Sequence, residues 1–163
     1  MELDELLQQL KIHYEKLEHP AVYTSEEAAS LGIAEKLQAT ACKNLFLSMK
    51  HKAFYLLVFP AAKRPRINQV AKLLHVPHLS FASEAELSDL LHLYPGSVTP
   101  LGIIHDTENK VTVILDEALR GKTICAHPNR KTATLALRYE DLLTFIHALD
   151  HTVIEVPIPE ADP

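Results

Sequence analysis

The chain has 163 residues, 47% of them apolar and 23% charged, with a formal net charge of −5. These totals predict one globular domain large enough for a real core. They exclude non-specific wrapping of nucleic acid, which rests on broad positive charge, and no stretch approaches the ~18–20 apolar residues of a membrane helix. Cys42 and Cys125 are far apart and lack CxxC spacing, so no disulfide framework is expected and the chain reads as reduced and cytoplasmic. The start, MELDELLQQL, is acidic and amphipathic, unlike a signal peptide.

Leu3, Leu6, Leu7, Leu10, Tyr14 and Leu17 recur at helical spacing and predict a helix over 2–17, ended by His19-Pro20. Thr24 or Ser25 can cap a short second helix, SEEAASL, which stops at Gly32. The runs 44–49 (NLFLSM) and 53–59 (AFYLLVF), separated by a charged KHK, predict a hairpin in a largely buried sheet. RINQVAKLLHV gives a short helix that ends before Pro77, and Ser83 with Glu86 forms a capping box that opens SEAELSDLLHL.

After PGSVTPLG, the runs GII and VTVIL around HDTENK predict a second hairpin over 102–115. TICAH (123–127), TATLAL (132–137) and VIEV supply further strands, and YEDLLTFIHAL (139–149) is an amphipathic helix. The expected class is α+β or mixed α/β, with one central, mixed and largely antiparallel sheet flanked by helices. A single domain over 1–163 is expected, from the helix at 2–17 to a polar tail at 157–163.

Ten histidines invite a metal reading. His75 with His78 and His147 with His151 are the close pairs, but no Cys or carboxylate cluster completes a tetrahedral set in sequence. No metal or other cofactor is assigned. Cys42 beside Lys43 could be a nucleophile, yet no partner base is signalled and a buried structural thiol is the commoner case. Lys43-Asn44 stands at the mouth of an apolar strand, where an ammonium either discourages strand-edge pairing or faces a cleft and positions an anionic or carbonyl oxygen. His127 precedes a proline, which holds it extended and can aim it from a strand end; a plain turn with a surface histidine fits the same residues. PGSVTPLG, with two of the chain's four glycines, has the composition of a shaped loop.

KNLFL at 43–47, LSFAS at 79–83, PGSVTPLG at 95–102 and the HPN segment at 127–129 occur together and in this order. In them the chain resembles the prolyl-tRNA editing (YbaK/aminoacyl-tRNA deacylase) superfamily, most of all its free-standing alanyl-tRNA(Pro) deacylases, from about His19 to Val156. The resemblance implies a trans-editing hydrolase that removes alanine from mischarged tRNA(Pro). Losing a methylene or two separates substrates by only about 1–3 kcal/mol, so a second site has to supply the remaining discrimination.

On that resemblance, Lys43 holds the terminal adenosine's phosphate or the substrate carbonyl, and Asn44 orients the ester or its water. Gly96 and Gly102 bring backbone N–H groups to the oxyanion. Ser97 and Thr99 offer hydroxyls, Val98 excludes larger side chains, and His127 and Asn129 face the substrate. Lys50, Lys52, Lys63, Arg64, Arg66, Arg130 and Lys131 meet acceptor-stem phosphates. The partners implied are tRNA and prolyl-tRNA synthetase, with no membrane. Two departures stand out: Lys131 where relatives carry asparagine, and Leu101 where an aromatic is usual, which would reshape the pocket floor. They keep open a deacylase for Cys- or Ser-charged tRNA, and the acidic balance keeps open a non-catalytic tRNA- or synthetase-binding module.

Overall fold

In the computed structural model, which describes residues 1–160, the chain runs α1 (Leu3–Gln9), β1 (Tyr14–Glu18), α2 (Ser25–Ser30), α3 (Ile33–Leu37), β2 (Cys42–Met49), β3 (Ala53–Pro60), α4 (Ile67–Leu73), β4 (Ser80–Phe81), α5 (Glu84–Leu91), β5 (Val111–Asp116), β6 (Thr123–Ala126), β7 (Ala133–Arg138), α6 (Tyr139–Ala148) and β8 (Val153–Val156). A 3-10 helix covers Pro100–His105. The mixed α+β class is the one expected. The strands, however, form two hydrogen-bonded sheets rather than one: a five-stranded mixed sheet in the order β4-β2-β3-β5-β8, and a three-stranded antiparallel sheet, β1-β7-β6.

The two sheets are joined at Thr40, just before β2. Its N–H donates to the Thr123 carbonyl at 2.8 Å, and its own carbonyl accepts the Cys125 N–H at 3.0 Å. This bridge brings the start of β2 beside β6.

The period-2 pattern sorts the central strands between two cores. On β3, Leu56 and Val58 face the main core with Phe46, Val113, Leu135 and Phe145. Leu57 and Phe59 face a second core with Leu47, Val70 and Ile114 under α4. The predicted hairpin over 44–59 is β2 and β3, paired from Cys42↔Pro60 to Met49↔Ala53. The Ser83–Glu86 capping box is present in full, and the Thr24 hydroxyl caps α2 by accepting the Glu27 N–H at 3.1 Å.

Two further expectations are corrected. The helix predicted over 2–17 ends at Gln9; Lys11 turns the chain at φ +57°, and Tyr14–Glu18 pairs antiparallel with β7. Tyr14 and Leu17, three apart, match a helical face and fall on opposite faces of a strand, so no alternation marks β1; its pairing with β7 decides the matter. The second hairpin does not form. Pro100 starts a 3-10 turn capped by the Thr99 hydroxyl, and β5 instead lies parallel to both β3 and β8. A short apolar run does not reveal its own pairing, and VTVIL is near-continuously apolar because both of its faces are covered.

The tail predicted as polar over 157–163 is anchored where it is described, while residues 161–163 lie outside the described residues. Ile158 is buried in the second core. The side chain of Asp116, 1% exposed, accepts the Ile158 N–H at 3.4 Å, and Lys63 Nζ donates to the Ile158 carbonyl at 3.1 Å. Lys63 Nζ also lies 2.7 Å from Asp116 Oδ2. Among the described residues no helix is long and apolar enough to cross a membrane.

Removing one partner of a buried ion pair strands the other. Lys63→Ala is therefore expected to lower the unfolding free energy by about 3 kcal/mol, read by denaturant titration at neutral pH, with Lys50→Ala on the exposed hairpin turn as the near-neutral control.

Candidate active site

Beside the Thr40 bridge, where β2 begins and β6 ends, lies a cavity of about 360 Å³. Its walls come from well-separated segments: Val22–Thr24, α2 and α3, the start of β2, Gly96 and Val98, and Cys125–His127 with Thr134. Lys43 and Asn44 enter from β2. Asn44 shares the strand face of Cys42 and Phe46, the side of the main core, and its Oδ1 is buried without a hydrogen-bond partner among the described residues. An orphaned polar atom beside a cavity calls for an external partner. Lys43 and Glu35 are the only lysine and the only carboxylate on the cavity wall among the described residues.

His127 is the best-defined group. Its Nδ1 lies 2.9 Å from the Ala133 carbonyl. A carbonyl only accepts, so Nδ1 carries the proton and Nε2 keeps its lone pair in the neutral ring. Burial holds the imidazole below its usual value; the Ala133 bond opposes this, and His19 adds to it. His19 packs edge-on at 6.3 Å between ring centroids. Its Nδ1 donates to Pro20 O at 2.8 Å, so its Nε2 accepts the Thr134 hydroxyl proton, also at 2.8 Å. Thr134 is buried and lines the cavity, its hydroxyl proton committed to His19.

The 95–102 loop divides by role. Gly96 and Val98 border the cavity. Gly96 has φ +86°, and a Cβ there would stand 3.1 Å from the Tyr23 carbonyl, so the close backbone approach expected of a glycine is real. Ser97 does not reach the cavity: its hydroxyl donates to Tyr94 O at 2.7 Å and accepts the Tyr94 N–H, closing its own turn. The Thr99 hydroxyl donates to the His127 carbonyl at 2.8 Å. Gly102 is buried, its N–H donates to Thr99 O, and a Cβ would fall 2.7 Å from Leu93 Cδ1; it serves packing and leaves no donor for an oxyanion. Leu101 is fully buried in the main core and forms no pocket floor. Asn129 Nδ2 donates to Leu101 O at 3.4 Å, leaving Oδ1 buried and without a partner among the described residues. Thr99 and Asn129 thus stitch the loop to the His127 segment.

The basic residues scatter. Lys63 belongs to the Asp116 clamp. Arg130 makes a two-pronged pair with Glu18 at 2.8 and 2.9 Å. Lys50 and Lys52 lie on the far turn of the hairpin, roughly 20 Å along the strand from Lys43 at ~3.3 Å per residue. Arg64 and Arg66 are exposed on the segment leaving Ala61, which borders the cavity. Lys131 Nζ sits 4.2 Å above the centre of the Tyr23 ring.

Cys42 and Cys125 both border the cavity, but burial pushes their thiols up to about 12 and about 11. Neither is a thiolate at neutral pH, so the Cys42 nucleophile is set aside. Of the histidines weighed as metal ligands, His151 is buried against Asp106, with Nε2 donating to Oδ2 at 2.9 Å. Sequence reasoning missed His19, Tyr23, Glu35 and Thr134. For His19 a signal existed: it stands before a proline as His127 does.

An aminoacyl-tRNA editing domain family matches residues 19–145, and the chain belongs to this family. It is 36% identical to the prolyl-tRNA editing protein ProX of Acetoanaerobium sticklandii, over 90% of this chain and 89% of the relative. It is 35% identical to a prolyl-tRNA synthetase associated domain-containing protein 1 of Danio rerio, over 94% and 84%. A solved structure described as a candidate trans-editing enzyme for prolyl tRNA synthetase shares the fold, with a TM-score of 0.72 and 23% identity over 98% of this chain and 95% of that one.

Two measurements check the electrostatics. In an NMR titration the His127 ring is expected to change charge below the ordinary imidazole value of about 6.5. Above that pH the folded and unfolded chains are equally neutral at this position. Below it the unfolded chain takes up a proton that the folded site resists, so stability falls toward acid, and His127→Asn should flatten that slope. Iodoacetamide at pH 7 should alkylate both thiols at least tenfold more slowly than free cysteine, whose pKa is about 8.5.

Proposed function

We propose that this protein is a trans-acting deacylase that hydrolyses the ester of mischarged tRNA, with Ala-tRNA(Pro) as its substrate. The observation that carries the reading is that Lys43, Asn44, whose buried Oδ1 has no partner among the described residues, and His127, whose Nδ1 is committed to Ala133, line one small cavity. An aminoacyl ester is already activated, so the site has to position it and stabilise a tetrahedral oxyanion, with no serine relay. Lys43 supplies the positive charge for the oxyanion or the adjacent phosphate. A water attacks the carbonyl carbon, the ester C–O bond breaks, and the ribose oxygen leaves with a proton. The attacking water gives its proton to His127 Nε2 or is helped by the neighbouring ribose hydroxyl. Only the first route carries an acid limb that His127→Asn abolishes.

Val22, Ile33 and Val98 on the cavity wall suit a small apolar side chain. The name of ProX supports prolyl-tRNA as the system edited, and that of the Danio rerio relative supports association with prolyl-tRNA synthetase. A cytoplasmic location follows from that partnership. The Leu101 departure no longer argues for a Cys- or Ser-specific enzyme, because this residue lies in the core.

The test is hydrolysis of Ala-, Cys- and Ser-charged tRNAs beside Pro-tRNA(Pro). Alanine should be released fastest and proline spared, and Lys43→Ala should slow release by about 10²–10³-fold, as for a lost oxyanion donor. Stable alanyl ester in the presence of wild type, or a Lys43→Ala protein as fast as wild type, would refute the proposal.

A further inference from the structure

Three large aromatic side chains are strongly exposed among the described residues: Tyr23, Phe81 and Tyr94. Only Tyr23 borders the cavity. The residue is 59% exposed, an unfavourable place for a large aromatic side chain unless something covers it. Its backbone is packed on both sides. On one side Gly96, at φ +86°, packs against its carbonyl, where a Cβ would stand only 3.1 Å away. On the other the Val22 N–H donates to Lys131 O at 3.4 Å. Lys131 in turn places its ammonium 4.2 Å from the ring centre, which occupies one face and leaves the ring otherwise open to solvent.

A largely exposed aromatic residue with a cation over one ring face, on the rim of a cavity that holds a lysine and a histidine, is suited to one kind of ligand. We infer that Tyr23, backed by Lys131, is a stacking platform for the base of a 3′-terminal nucleotide whose acylated ribose enters the cavity. Base–aromatic stacking tolerates any base and needs only a free ring face. The ammonium at the ring draws electron density from it through the cation–π contact and adds positive charge beside the phosphates of the incoming single strand. This gives Lys131 a definite place: a phosphate partner held in position by the ring it leans on. An ordered nucleoside on this rim also explains how a 360 Å³ cavity can act on a substituent as small as an alanyl group. The base is fixed outside, and the ester alone reaches Lys43, Asn44 and His127.

The inference rests on the editing function proposed above, and binding tests it separately from turnover. In one arm the full chain is titrated with adenosine 5′-monophosphate or with ribose 5-phosphate, and the Tyr23 ring protons, assigned by their loss in Tyr23→Phe, are followed by NMR. Ring-current shifts of these protons with the nucleotide and none with the sugar phosphate are expected. Equal responses to the two ligands would overturn the platform. In a second arm an uncharged acceptor minihelix ending in CCA is compared with the same minihelix lacking its last nucleotide. Tyr23→Ala should weaken binding of the complete end by roughly 5- to 100-fold and leave binding of the shortened end unchanged. Tyr23→Phe, which keeps the ring face, should bind the complete end as wild type does. A Tyr23→Ala protein with unchanged melting temperature that binds both minihelices like wild type, or loses equally on both, refutes the inference even if alanine release is intact. Base-dependent shifts at Tyr23 in a protein that hydrolyses no ester would instead leave the platform standing and remove the editing function.

Discussion

Two hydrogen bonds at Thr40 hold the candidate site together. They join the entrance of β2 to β6, and so set Lys43 and Asn44, carried by the five-stranded sheet, beside His127 and Thr134, carried by the three-stranded one. Neither sheet alone encloses the cavity. The two sheets share the main core and are bridged by hydrogen bonds at Thr40; beside that bridge, residues of α2 and α3 complete the cavity wall. Such an arrangement is typical of ligand sites, where rigid strands position a few polar groups and shorter elements complete the wall.

The loop PGSVTPLG is shaped largely around the protein itself. Its two hydroxyls are engaged by backbone groups, at Tyr94 and His127, and its second glycine is pressed into Leu93. Only Gly96 and Val98 are left to the cavity. Buried polar side chains take the nearest partner, and in a tight loop that partner is usually the main chain. The result is a stiff strap that fixes the carbonyl of His127 through Thr99, while Ala133 fixes the ring. The loop serves the chemistry by holding another residue still.

Much of this was legible in the sequence, and what was not has a physical reason. The β2–β3 hairpin, the Ser83–Glu86 box and α6 rest on local signals: alternation, capping and helical periodicity. β1 was hidden because Tyr14 and Leu17, three apart, continue the helical spacing of α1 and show no strand alternation; only pairing with β7 makes this segment a strand. The partners of β5 were hidden because parallel pairing depends on segments tens of residues away. At the site, Lys43, Asn44, Gly96, Val98 and His127 were all named in advance and share one cavity, whereas Ser97, Gly102 and Leu101 face elsewhere. Residue type marked them as candidates, but composition does not reveal that the Ser97 hydroxyl closes its own turn on Tyr94 or that the 3-10 helix buries Leu101 and packs Gly102 against Leu93. Charge was the poorest guide: Lys63 and Arg130 have acidic partners at Asp116 and Glu18 that lie far away in sequence.

Both site histidines have their protons assigned by main-chain oxygens, Pro20 O for His19 and Ala133 O for His127. Every residue type carries a carbonyl, so no single substitution at position 20 or 133 can delete either acceptor. The orientation of the two imidazoles is therefore buffered against mutational drift in a way that a side-chain carboxylate partner would not be. Descendants of this sequence can vary around the cavity and adjust its fit while inheriting the same arrangement of protons.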